Sequence, residues 1–185
     1  GEMEVYDFSE PITQHGWANG LSVHNCGEVL LGAWQVCNLG TLNLPCFINR
    51  DGVIDNNRLA YVSKVATRFL DNVIDVSNYP YPENELVQKF GIRRIGIGTV
   101  GLADAMIESK IRYGDNPKAK VFTNQVLTVI RNSVIDTSCD LAREKGTFPS
   151  YQKEQFNEGK YLLRLPQNLQ DKVREHGLRN ACLLC

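Results

Sequence analysis

Two rhythms divide the chain. Residues 1–25 run in short alternating stretches, Glu4-Val5-Tyr6-Asp7-Phe8 and Leu21-Ser22-Val23, broken by Pro11, Gly16 and Asn19-Gly20. Alternation around Asn-Gly predicts a β-hairpin, because that dipeptide accepts the left-handed backbone of a two-residue turn. Extended grammar continues through Glu28–Leu31 and Trp34–Leu44, predicting a loop and one buried strand. After the turn Asn49-Arg50-Asp51-Gly52 the spacing becomes helical. Leu59, Val62, Val65, Ala66, Phe69, Leu70 and Val73 fall three and four apart, predicting a helix over 56–76 with these residues on its buried face. Tyr79-Pro80-Tyr81-Pro82 ends it, since proline forbids continuation. A further helix is predicted from 99 or 101 to 109, and the longest over 117–144, with Pro117 in its first turn and Gly146 beyond its end. Residues 147–168 read as surface loop, 169–175 as a short helix, and 178–185 as a buried strand.

Helices interspersed with three or so strands predict an α/β body that is incomplete, because so few strands neither close a barrel nor cover a sheet. Gly96-Ile97-Gly98-Thr99-Val100-Gly101 matches the G-x-G-x-x-G pattern of dinucleotide-binding folds. The confirming context is missing: the preceding Lys89-Phe90-Gly91-Ile92-Arg93-Arg94 is mixed, and no strand ending in an acidic residue follows at the required distance. These glycines are instead expected within a helical stretch, where a side chain would obstruct close packing.

Composition narrows the possibilities. The 185 residues are 43% hydrophobic and 22% charged, enough apolar material for one sizeable core. Twenty basic and 21 acidic side chains leave a net charge of −1, without the basic surplus that direct nucleic-acid binding requires. No apolar run approaches a membrane span, and the first residues are acidic rather than basic and then apolar. The expectation is a soluble, cytoplasmic protein with no membrane partner. Six cysteines in such a chain are expected to be thiols rather than a secreted disulfide framework. Cys46 and Cys139 read as packing residues. Cys182 and Cys185 form a Cys-x-x-Cys with no second pair at ligand spacing, so no metal site is expected; on a strand they point to opposite faces and read as structural.

Val5-Tyr6-Asp7-Phe8, followed by Trp17-Ala18-Asn19-Gly20-Leu21-Ser22-Val23-His24-Asn25-Cys26, resembles the two C-terminal blocks of an intein. The resemblance implies that residues 1–25 are a short β-hairpin intein remnant and that Asn25 closes a succinimide, cutting the Asn25–Cys26 bond. His24 would assist that cyclisation as a general acid, and Cys26 would attack an upstream thioester as the splicing nucleophile. Gln14 stands where inteins usually carry another histidine, with His15 one position later. The upstream intein half is a required partner, and the chain is not expected to splice alone.

A second resemblance begins at the same cysteine. Cys26-Gly27-Glu28, Cys37-Asn38-Leu39-Gly40-Thr41-Leu42-Asn43-Leu44, Arg93-Arg94-Ile95-Gly96-Ile97-Gly98 leading into Gly101-Leu102-Ala103-Asp104-Ala105, and Leu178-Arg179-Asn180-Ala181 are similar, in order, to motifs of the ribonucleotide reductase large chain. The family loop reads Asn-Pro-Cys-Gly-Glu, whereas here His24-Asn25 precede the cysteine, as an inserted intein would leave them. The implied fold of 26–185 is part of an α/β barrel, with Cys26 on an internal loop and Cys37 on the adjacent strand. The implied chemistry is conversion of ribonucleoside di- or triphosphates to 2′-deoxyribonucleotides. Cys26 would carry the thiyl radical and Glu28 would serve as general base, alternate residues of an extended segment sharing a face. Cys37 would be one member of a redox pair whose partner lies upstream. A thioredoxin-like reductant and the N-terminal reductase portion are implied partners. The motif wording favours the adenosylcobalamin-dependent class, although no cobalamin site is identified. Two other readings are a splicing module carrying a passive extein and a non-catalytic binding domain built on the glycine motif.

Overall fold

The computed structural model of the chain describes residues 15–18, 21–24 and 31–181, in two units, 1–33 and 34–185. In the first, β1 (His15–Ala18) pairs antiparallel with β2 (Leu21–His24). Ala18 stands opposite Leu21 and leaves Asn19-Gly20 as the connection, the two-residue spacing of a tight hairpin.

The second unit is built on two parallel strands, β3 (Asn38–Asn43) and β4 (Ile95–Val100), paired from Asn38↔Ile95 to Asn43↔Val100. Parallel strands need a long crossover. Here it comprises a 3-10 turn at Leu44–Phe47, helix α1 (Asn56–Val76), helix α2 (Pro82–Val87) and a π-helical turn at Gln88–Ile92. Helices α3 (Leu102–Glu108), α4 (Pro117–Lys145), α5 (Lys153–Asn157) and α6 (Gln167–His176) follow β4. The core forms where α1 and α4 pack on each other and on the strands, with Leu44, Leu59, Ile74, Ile95, Val126, Val134 and Val173 fully buried. Among the described residues the sheet has two strands and is not closed.

Local chemistry explains the element ends. Asp55 caps α1 by accepting from the Arg58 N–H, and Asn116 caps α4 by accepting from the Ala119 N–H, with Pro117 in the first turn. Gly146 ends α4 at a φ of +85°, a conformation that glycine adopts without a side-chain penalty.

Several expectations need correction. Gly96 and Gly98 lie in strand β4 and not in a helix, because Ile95 and Ile97 alternate with them into the core and supply a strand period. Only Gly101 serves a helix, as the residue before α3. Its φ is +72°, and a Cβ there would come within 2.6 Å of Pro45 Cδ. In α1, Val65 and Phe69 are exposed, while Ser63 and Thr67 are buried. Their hydroxyls donate to the carbonyls of Leu59 and Ser63, so the buried stripe runs through polar positions. Strand β3 is mostly not buried: Leu42 is enclosed and Leu39 is 53% exposed. Finally, 147–168 contains α5, a 3-10 turn at Leu162–Arg164 and the buried side chains of Phe148, Leu162 and Leu165.

The segment 178–181 is buried at Leu178 and Asn180 without forming a strand. Its backbone is satisfied piecemeal: Phe148 N–H donates to the Leu178 carbonyl, Arg179 N–H to that of Ser138, and Ala181 N–H to that of Ile92. Residues 182–185 lie outside the described residues, and with them the expectation for Cys182 and Cys185.

Candidate functional site

Of the residues that the sequence marks for chemistry, Cys37 is the one whose side chain the structure describes. It immediately precedes β3 and is half-buried, its thiol in long contact, 3.9 Å, with the Asn38 carbonyl. His24 ends β2 opposite His15, so the hairpin register brings the backbones of these two histidines side by side. Asn25, Cys26 and Glu28 lie outside the described residues, as does Val5-Tyr6-Asp7-Phe8.

A closed circuit of contacts fixes the position of Cys37. Next to it, Asn38 donates its amide to the Leu70 carbonyl of α1 at 3.0 Å. The residue after Leu70 is Asp71, whose carboxylate accepts from Arg93 Nη2 at 2.9 Å and Nε at 3.1 Å. After Arg93 comes Arg94, which opens the approach to β4 and donates from Nη2 to Gln35 Oε1 at 2.9 Å. Gln35 lies two residues before Cys37. The thiol is thus bracketed by two cross-chain ties, one to α1 and one to the start of β4.

Asp71 and Arg93 carry the charge of this circuit, and their side chains are 0% and 2% exposed. Desolvation at that depth is offset only when the remaining donors and acceptors are filled. Arg93 Nη2 also reaches the Asp71 carbonyl, and Nη1 reaches Asp75 at 2.8 Å. Asn180 donates its amide to Asp71 Oδ1 and to the Arg93 carbonyl and accepts from the Ser138 hydroxyl. Burial works against the charge on Arg93, but the hydrogen bonds and charges of Asp75 and Asp71 prevail and hold its pKa above the ordinary arginine value. Partial burial likewise opposes ionisation of Asp75, and the Arg93 contact overrides it to keep the carboxyl below its usual range. Arg93 has a left-handed backbone, φ +47°, which a non-glycine residue holds only when surrounding contacts determine it.

The sequence reading assigned no role to Asp71, Arg93, Arg94 or Asn180, although three of them stand in the motifs that carry the reductase resemblance. The available signal was a charged residue inside the apolar stripe of α1, Asp71 between Leu70 and Ile74, which demands a buried partner.

The other described cysteines do not join this site. Cys46 is exposed on the 3-10 turn, and Cys139 is fully buried in α4, where loss of solvent pushes its thiol up to about 12. Among the described residues no group of three His, Cys, Asp or Glu side chains is placed to hold a metal ion. The described grooves are open surface features, such as one of about 510 Å³ between α1 and α4 lined by Lys64, Phe69, Asn72 and Asp140. Neither donor set nor enclosure there fits adenosylcobalamin. No helix among the described residues is long and apolar enough to cross a membrane.

Comparison with known proteins shows the family of the chain. A family model described as "Ribonucleotide reductase, barrel domain" matches residues 17–185. A vitamin B12-dependent ribonucleoside-diphosphate reductase of Mycobacterium tuberculosis (strain CDC 1551 / Oshkosh) is 40% identical over 154 residues, covering 83% of this chain and 22% of that protein. The ribonucleoside-diphosphate reductase subunit alpha of Chlamydia muridarum (strain MoPn / Nigg) is 33% identical, with 86% of this chain and 17% of the relative covered. The ribonucleoside-diphosphate reductase large chain of Schizosaccharomyces pombe is also 33% identical, with 80% and 19% covered. The chain therefore spans about a fifth of the length of the curated relatives it matches.

Proposed function

The chain belongs to the ribonucleotide reductase large-chain barrel family, and we propose that it is the part of such an enzyme that brings the radical cysteine and one redox cysteine to the substrate. The observation that carries this reading is the family match over 17–185, which takes in both cysteine motifs. Cys26 carries the thiyl radical and removes the ribose 3′ hydrogen, while Glu28 accepts the proton of the 3′ hydroxyl. Cys37 and an upstream cysteine supply two electrons and two protons for loss of the 2′ hydroxyl as water, and end as a disulfide. A ribonucleoside diphosphate is the substrate class favoured by the relatives' names. A thioredoxin-like dithiol resets the pair. Alone, the chain has no reductase activity, because the partner cysteine and most of the barrel are supplied by the upstream reductase portion.

Residues 1–25 are proposed to be an intein remnant, on the strength of the His24-Asn25-Cys26 junction and the β1–β2 hairpin that delivers it. In this account the sulfur of Cys26 serves first as splicing nucleophile and then as radical carrier. Co-expression with the upstream half, read by intact-mass spectrometry, tests the junction: the ligated product begins its C-terminal part at Cys26, and Asn25→Ala leaves residues 1–25 attached. Ligation by Asn25→Ala would show that Asn25 does not cut this bond. Reductase assay of the ligated Cys26→Ser protein tests the radical role, since a hydroxyl can attack a thioester slowly but its O–H bond is too strong for efficient radical formation.

A further inference from the structure

We infer that Arg94 is a positioning residue for Cys37, favouring its thiolate when the disulfide of the redox pair is opened. This rests on the reading of Cys37 as one member of that pair. Arg94 spends one nitrogen on Gln35, while its Nε and Nη1 are buried without a hydrogen-bond partner among the described residues. Buried guanidinium donors left unfilled are costly, and they mark a place where an electron-rich atom is to be received.

The strand register says which atom lies nearby. Pairing begins at Asn38↔Ile95, so Cys37 and Arg94 are the residues immediately ahead of it on neighbouring chains. Neighbouring parallel strands run about 4.8 Å apart, and side-by-side residues point to the same face. The Arg94–Gln35 bond shows that the two chains stay close for at least two residues beyond the pairing.

Among the described residues Glu83 of α2 and Arg58 of α1 form no ion pair, and the other charged groups on the packed elements are matched. On α1, Asp71 and Asp75 face Arg93, with Lys145 of α4 and Arg179 also directed at Asp71. On α2 and the π-helical turn, Glu85 pairs with Lys89, and the neutral Asn84 side chain binds the Trp34 carbonyl. On the segment 31–37 itself there is no charged side chain. Among the described residues Arg94 is thus a cation with donors to spare at the register position next to Cys37.

Its effect falls on the resetting step. The thiolate of an external dithiol attacks the sulfur of the upstream cysteine, the S–S bond of the pair breaks, and Cys37 leaves with the bonding electrons as a thiolate. The second thiol of the external reductant then closes its own disulfide, releasing the upstream cysteine. The reductant loses two electrons and two protons, and the pair gains them. A lower thiol pKa makes Cys37 the better leaving group.

The test is the pH dependence of iodoacetamide alkylation in the full 185-residue chain, resolved for each cysteine by fragment-ion mass spectrometry. Exposed Cys46 is the internal reference. The expected result is a Cys37 midpoint below that of Cys46. Arg94→Gln raises it by about one pH unit, slowing alkylation about tenfold below the midpoints, and Arg94→Lys restores most of the difference while Cys46 stays unmoved. Coincident midpoints of Cys37 and Cys46 in the unaltered chain would overturn the inference without any variant, as would an Arg94→Gln midpoint equal to the unaltered one. The reading beneath it is tested separately. Normal multiple turnover by assembled Cys37→Ser enzyme removes Cys37 from the redox pair, whereas an essential Cys37 that titrates like Cys46 refutes only the role of Arg94.

Discussion

Asp71→Ala is expected to be far more damaging than Asp75→Ala, although both remove a carboxylate from the same arginine. The Asp71 side chain is fully enclosed, and Oδ1 accepts from Arg93 Nε, Arg93 Nη2 and Asn180 Nδ2 at 3.1, 2.9 and 3.0 Å. Its loss leaves a guanidinium at 2% exposure with Asp75 at 2.8 Å as its remaining carboxylate. Breaking a buried pair from one side costs about 3–5 kcal/mol, and the surviving Asp75 contact places this case near about 3 kcal/mol. Asp75 has a side chain 38% exposed, so water screens the pair and its removal costs roughly 1 kcal/mol or less. Urea unfolding followed by far-ultraviolet circular dichroism separates the two. With a slope of about 2 kcal/mol per molar for a domain of this size, Asp71→Ala lowers the midpoint by about 1.5 M and Asp75→Ala by no more than about 0.5 M. Equal shifts would mean that the buried circuit around Cys37 is not held together as described.

Gly101→Ala forces a side chain into a φ of +72° and within 2.6 Å of Pro45 Cδ, and is expected to cost about 2 kcal/mol in the same unfolding assay. A brief iodoacetamide pulse at pH 8 on the folded chain labels exposed Cys46 and spares buried Cys139, whose thiol is pushed up to about 12; both label after denaturation, and labelling of native Cys139 would contradict its burial. Partial burial resists ionisation of Asp75 and Asp136, but Arg93 in one case and Lys172 with Lys64 in the other hold both carboxyls below the usual aspartate range. A lowered folded pKa gives stability that is complete above the unfolded pKa and is lost as pH falls through the folded value. The urea midpoint therefore drops as pH is lowered through and below about 4, and Asp136→Asn flattens that fall.

Much of the architecture was legible because it depends on short-range rules. The Asn19-Gly20 spacing marked a hairpin, α1 runs over the predicted 56–76, and Pro117 and Gly146 bound α4. The errors arose where tertiary contacts replaced the usual signals. The glycines at 96 and 98 were read as helix-packing positions although Ile95 and Ile97 alternate with them as in a strand, while Ser63 and Thr67 satisfied their hydroxyls within the helix and entered the buried face that Val65 and Phe69 were expected to fill. At the site, the motif around Cys37 stood out in sequence, but its fixation did not. Asp71, Arg93 and Asn180 are separated along the chain and meet only after α1, β4 and the 178–181 segment pack together. No local spacing encodes that meeting.

In the proposed reaction the sulfur of Cys26 takes the ribose 3′ hydrogen. The most direct test is 2′-deoxynucleoside diphosphate formation by the assembled reductase with 3′-protium and 3′-deuterium substrates under single-turnover conditions, in the unaltered and Cys26→Ser proteins. The expected result is slower product formation with deuterium in the unaltered enzyme and no product with Cys26→Ser. Product from Cys26→Ser at the unaltered rate would contradict it.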